Sequence, residues 1–69
     1  MKTLDEIRIE QGRRQDWLAN QIGVKRQTLG RWAAENGEAS IKKAYLIAAA
    51  KALGIEPEEI KEYQDYVKI

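Results

Sequence analysis

The segment from Gln15 to Trp32 constrains this chain more than any other, because two short helical patterns meet there at a single glycine. In Gln15-Asp16-Trp17-Leu18-Ala19-Asn20-Gln21-Ile22, the apolar Leu18, Ala19 and Ile22 recur at i, i+1 and i+4, one inward stripe of a helix. Gly23 follows the last of them, where a helix end favours a residue able to take positive φ. A second stripe opens at Val24 and continues through Leu29 and Trp32. At about 100° per residue, Leu29, Trp32 and Ala33 share one face, while Arg26, Gln27, Gly30 and Arg31 share the other. Two guanidinium groups and an amide are the side chains best shaped to hydrogen-bond guanine and adenine edges in a major groove. The pattern points to DNA binding.

Composition narrows the remaining choices. A chain of 69 residues suffices for one domain, and at this size only about 60% of the unfolded surface is buried. Cysteine and histidine are both missing, which excludes disulfides, cysteine nucleophiles and the usual zinc fingers. With no glycine-rich phosphate loop and no recognisable carboxylate pair, neither enzymatic activity nor a cofactor is expected. No apolar run approaches membrane-spanning length, and Met1-Lys2-Thr3 does not open a signal-peptide pattern. The expectation is a cytoplasmic location without a membrane partner.

Net charge is only +1, yet its distribution is uneven. Residues 13–31 hold five cations (Arg13, Arg14, Lys25, Arg26, Arg31) against Asp16 alone. Residues 56–69 hold five acids (Glu56, Glu58, Glu59, Glu62, Asp65) against Lys61 and Lys68. A positive patch on a balanced domain has the form of a phosphate-binding footprint, and the acidic end is expected to face away from DNA. Charge clusters also arise as merely solvated helix faces, so the motif, not the composition, has to decide.

Five short helices are predicted, with no repeat or low-complexity tract. Thr3-x-x-Glu6 fits a capping box for helix 1, which turns Leu4 and Ile7 inward and ends before Gly12. Helices 2 and 3 are the pair above. The polar connection Glu35-Asn36-Gly37-Glu38-Ala39 leads to Ser40, a suitable N-cap for helix 4. Helix 4 is expected to reach Leu53, packing through Ile41, Ala44, Tyr45, Ala48, Ala49 and Ala52, with Gly54 closing it. Pro57 suits the first turn of helix 5, which takes in Glu58, Glu59 and Ile60. Ile60, Tyr63 and Val67 at i, i+3 and i+7 favour helix through about Tyr66, against a short strand or docked tail over Tyr66-Val67-Lys68-Ile69. The expected division is a DNA-binding domain over residues 1–62 and an extension over 63–69, a helix continuation or dimer contact.

The order Gln15-x-x-Leu18-Ala19-x-x-Ile22-Gly23-Val24-x-Arg26-x-Thr28-Leu29-x-Arg31-Trp32 resembles the helix-turn-helix of the lambda-repressor/Cro-like (XRE-type) regulators. The likeness extends upstream to Ile7-Arg8 and Gly12, and downstream through Ala50-Lys51-Ala52-Leu53-Gly54-Ile55 to Glu59-Ile60, roughly Leu4 to Ile60. It implies an all-α, compact five-helix lambda-repressor-like fold with the helix-turn-helix at helices 2 and 3. It also implies a sequence-specific regulator of phage or bacterial repressor type that binds double-stranded DNA.

Arg26, Gln27 and Arg31 are assigned to base contact, and match the positions that usually contact bases in the resembling family. Gln15 matches the family's backbone-contacting glutamine that braces the recognition helix. Arg14, Lys25, Thr28 and Asn36 complete the expected phosphate contacts, although packing also suits Thr28. Each of these has a plainer reading as an exposed polar residue. Gly30, on the same face, either permits close groove approach or is merely tolerated in a short helix.

The chain departs from the family pattern at four places. Arg13-Arg14 stands where an apolar residue and a Ser or Thr cap are usual. Ala33 replaces the acid that pairs with the arginine matching Arg8, leaving Glu35 or another group as its partner. The connection after Trp32 is about two residues longer than in short relatives. Trp17 occupies a usually polar position, either as an interface anchor or folded over a neighbouring helix. Trp17, Tyr63, Tyr66, Val67 and Ile69 therefore form the expected protein-contact surface, and the C-terminal four suit a homodimer. The competing function is an interaction module of the same fold, an antirepressor or modulator that binds another regulator.

Overall fold

The computed structural model describes residues 1–67. Within them lie five α-helices: α1 (Leu4–Glu10), α2 (Gln15–Ile22), α3 (Arg26–Ala34), α4 (Lys43–Leu53) and α5 (Lys61–Val67). A 3₁₀ turn, Pro57–Glu59, precedes α5. The all-α, five-helix architecture expected from the sequence is the one observed.

Local chemistry fixes several boundaries where expected. Thr3 caps α1: its hydroxyl accepts the Glu6 N–H at 3.2 Å, and the Glu6 carboxylate accepts the Thr3 N–H at 2.8 Å. This pair satisfies two donors that a helix start otherwise leaves open. Gly23 ends α2 at φ +90°, donating to the Ala19 carbonyl at 2.9 Å. That left-handed residue turns the chain sharply enough for α3 to begin three residues later.

The core gathers one stripe from each helix. Leu4 and Ile7 come from α1, Leu18, Ala19 and Ile22 from α2, and Leu29 and Trp32 from α3. Leu46, Ala49, Ala50 and Leu53 of α4 meet them, with Ile60 and Tyr63 closing the far side. Leu18, Leu46 and Ile60 are the largest side chains wholly withdrawn from water. Trp32 stacks obliquely on Tyr45 of α4, ring centroids 6.0 Å apart, so the back of α3 is anchored by an aromatic pair.

Two helices begin later than the sequence suggests. Ser40 does not cap α4, whose N-cap is Lys42. Instead Ala39 and Ile41 are buried around an exposed Ser40, a non-helical segment that alternates in and out. The Tyr66 hydroxyl donates to the Ile41 carbonyl and holds this segment against α5. The packing phase of α4 also differs: Leu46 and Ala50 are interior, whereas Ala44 is exposed.

Helix 5 likewise starts at Lys61 rather than Pro57. Ile60 takes extended angles (φ −95°, ψ 126°) between the 3₁₀ turn and α5, which puts its side chain in the centre of the core. The Lys61 N–H then donates to the Lys2 carbonyl at 2.9 Å. Burying Ile60 and joining the N-terminal strand of chain outweigh an uninterrupted helix.

Glu62, one of the five acids of residues 56–69, is only 3% exposed. Its carboxylate accepts the Leu4 N–H at 2.9 Å in the first turn of α1. A buried carboxylate at a helix start is stabilised by the open N–H and by the positive end of the helix dipole.

Candidate nucleic-acid interface

The second helix of the turn presents a cationic face over an apolar back. Arg26, Gln27 and Arg31 are exposed on α3, whereas Leu29 and Trp32 are buried beneath them. Gly30 lies between these polar side chains, half-buried. A Cβ added there would stand 3.8 Å from the Gln15 Oε1 atom, an ordinary contact distance. The amide of Gln15 at the start of α2 therefore faces the middle of α3, within reach of any side chain that stood at Gly30. That placement brings the first turn of α2 and the exposed face of α3 into one surface.

The helix starts differ in electrostatics. The first turn of α1 is closed by Thr3, Glu6 and Glu62, two of them carboxylates. In contrast, α2 and α3 begin at Arg14 and Lys25, neither of which supplies a side-chain cap. In α2 the Asp16 carboxylate accepts the Trp17 N–H at 2.8 Å, whereas the first turn of α3 holds no acid and keeps the partial positive charge of a helix N-terminus with Lys25 alongside. Lys42 leaves the start of α4 uncapped in the same way, and Lys43 follows it. Because α4 starts at Lys43 and not at Ser40, these two cations come to lie at a helix start.

The other expected phosphate contacts differ in their exposure and partners. Lys25 is exposed, and Thr28 is half-buried on α3. Arg14 is 83% exposed and forms an ion pair with Asp16, Nε to Oδ1 3.2 Å. Such an exposed pair is weak enough to exchange for another anion. Asn36 is exposed with φ +52° in the turn after α3. Gly37 follows at φ +88°, and its carbonyl accepts from Lys61 Nζ at 3.3 Å, which seats the turn on α5.

Arg8 resolves its missing acid locally. Its guanidinium donates to Asp5 Oδ1 through Nε at 3.0 Å and Nη2 at 2.8 Å, and to the Arg13 carbonyl through Nη1 at 2.6 Å. Asp5 thus fills the place left by Ala33, and no ion pair joins Glu35 to Arg8 among the described residues. The i, i+3 spacing of Asp5 and Arg8 is the sequence signal that identifies this partner.

Of the expected protein-contact residues, Trp17 is half-buried at the edge of the core with the Arg13 guanidinium 4.4 Å from its ring centroid. Tyr63 is 7% exposed and belongs to the core. Tyr66 and Val67 are exposed, and Ile69 lies outside the described residues. No helix among the described residues is long and apolar enough to cross a membrane.

A family model described as Helix-turn-helix matches residues 4–60 of this chain. Neither a curated protein nor a solved structure matches it significantly.

Proposed function

This chain belongs to the helix-turn-helix family, of lambda-repressor/Cro-like (XRE) type, and we propose that it is a sequence-specific transcriptional regulator reading the major groove with α3. Family membership supports DNA binding and regulation. The finer assignment rests on one observation: Arg26, Gln27 and Arg31 are exposed together above a wholly apolar back. Arg pairs bidentately with guanine and Gln with adenine, each good pair contributing about 1–3 kcal/mol of discrimination. Gln15, Lys25 and the uncapped start of α3 then receive backbone phosphates, which set register without reading sequence. Thr28, Arg14 and Asn36 complete that backbone set.

The decisive experiment selects bound duplexes from a random pool. A regulator of this type enriches a defined site, and its affinity falls steeply as salt rises. Absence of binding at low salt would transfer support to the interaction-module reading. That second reading has lost part of its surface, since Tyr63 is interior and Trp17 is covered by Arg13. A homodimer through the C-terminal region would use Tyr66 and Val67, and sedimentation at rising concentration tests it. Its half-sites would lie about one helical turn apart.

A further inference from the structure

Arg13, in the turn between α1 and α2, is fixed at its backbone by Arg8 from two directions. Its N–H donates to the Arg8 carbonyl at 3.1 Å, and its carbonyl accepts from Arg8 Nη1 at 2.6 Å. Arg8 is itself tied to Asp5 and its side chain is only 13% exposed, so the clasp has a firm base. The Arg13 side chain is ordered separately, with its guanidinium carbon 4.4 Å from the Trp17 ring centroid. That distance lies well inside the range, about 6 Å, over which a cation is attracted to an aromatic face.

The contact with the ring leaves the chemistry of this group unspent. Arg8 and Arg14 both meet carboxylates, but no carboxylate pairs with Arg13 among the described residues. A guanidinium carries five N–H donors, more than one ring contact can occupy, so donors remain for another partner. A leucine would also cover Trp17, without the charge. What arginine adds is an exposed, un-neutralised charge two residues before the Gln15 that faces α3.

We propose that Arg13, positioned by Trp17 and Arg8, is a further phosphate-contacting residue that extends the DNA footprint onto the α1–α2 turn. This rests on the DNA-binding reading above. A planar donor fork held in place matches the oxygens of a phosphodiester and reads no base.

The test measures binding of the wild-type chain, Arg13→Leu and Arg13→Lys to a selected duplex and to a scrambled duplex. Salt is varied between about 50 and 200 mM. Losing one phosphate contact flattens the log–log salt slope by about 0.9, so the advantage of wild type over Arg13→Leu shrinks about threefold across that range. The loss is expected to be equal on both duplexes, with Arg13→Lys retaining the wild-type slope and Arg13→Leu remaining folded, its unfolding temperature lowered by no more than a few degrees for the lost cation–π contact. A folded Arg13→Leu that binds with wild-type affinity and slope would show that Arg13 only covers Trp17, and would overturn the proposal while leaving DNA binding intact. Failure of the wild-type chain to bind either duplex at low salt would overturn both.

Discussion

The Glu62 carboxylate accepts the Leu4 N–H at 2.9 Å, tying α5 to the first turn of α1 across 58 residues of chain. Both partners are buried, so removing the acceptor leaves a helix-start donor without a replacement. Glu62→Ala is expected to destabilise the fold by about 1.5–3 kcal/mol, the range for hydrogen bonds to charged groups. Glu62→Gln keeps an acceptor but not the charge and should fall between the two. Urea denaturation of the three proteins checks the order, and an unchanged midpoint for Glu62→Ala would remove the tie.

The packing phase of α4 is open to a paired substitution. Leu46 is wholly buried, whereas Ala44 is exposed two residues earlier. Leu46→Ala should cost about 2–5 kcal/mol, a large share of what a domain this small has. Ala44→Gln is expected to change stability by less than about 0.5 kcal/mol. Equal effects at the two positions would mean that α4 is rotated from the orientation described.

Gly37 and Gly23 both have positive φ, but only one is crowded. A Cβ on Gly37 would lie 3.0 Å from Thr3 Cγ2 and 2.9 Å from Lys61 Cδ, whereas none of the surroundings of Gly23 comes within 4 Å. The left-handed backbone alone costs a non-glycine residue about 1–2 kcal/mol. Gly37→Ala should therefore exceed Gly23→Ala in thermal destabilisation, because buried Thr3 cannot step aside as readily as the Lys61 stem. A reversed order would place the turn after α3 away from Thr3.

Arg26 and Lys25 are adjacent, yet they should behave differently on DNA. Arg26→Ala is expected to lose about 1–3 kcal/mol of binding and to relax preference at one base pair. Lys25→Ala should weaken selected and scrambled duplexes alike and reduce the salt slope by about 1. Site selection with each variant separates the roles; an unchanged preference for Arg26→Ala would end its assignment to base readout.

Glu6 gives the fold an acid-sensitive contact. Hydrogen bonds from the Thr3 backbone, then from its hydroxyl, hold the Glu6 carboxyl below its ordinary value of 4.5. A carboxyl with its pKa lowered on folding stabilises the fold above the unfolded value, and that contribution disappears as pH falls through the folded one. Stability should therefore decline below about pH 4.5, and Glu6→Gln should show a shallower decline over the same interval. Matching acid profiles for the two proteins would argue against this source.

What could be read from residues alone was what depends on neighbours within about one helical turn. The Thr3–Glu6 box, the Gly23 turn and the two-faced α3 each follow from local geometry, and all three stand in the structure. Local reading weakened wherever several answers were nearly degenerate. The alanines of α4 fit more than one helical phase, and only the burial of Leu46 against the other helices selected one. Pro57 signalled a helical turn correctly, but nothing beside it revealed that Ile60 would leave that turn to fill the centre of the core.

The candidate interface divides along the same line. The exposed trio on α3 was visible in its spacing, since a 3.6-residue period separates it from Leu29 and Trp32. The approach of Gln15 to Gly30, the burial of Glu62 and the seat of Arg13 over Trp17 were decided by folding. Each joins groups whose separation in space is set by how helices pack, and a charged side chain carries no mark in the sequence of whether a distant N–H or aromatic face will meet it.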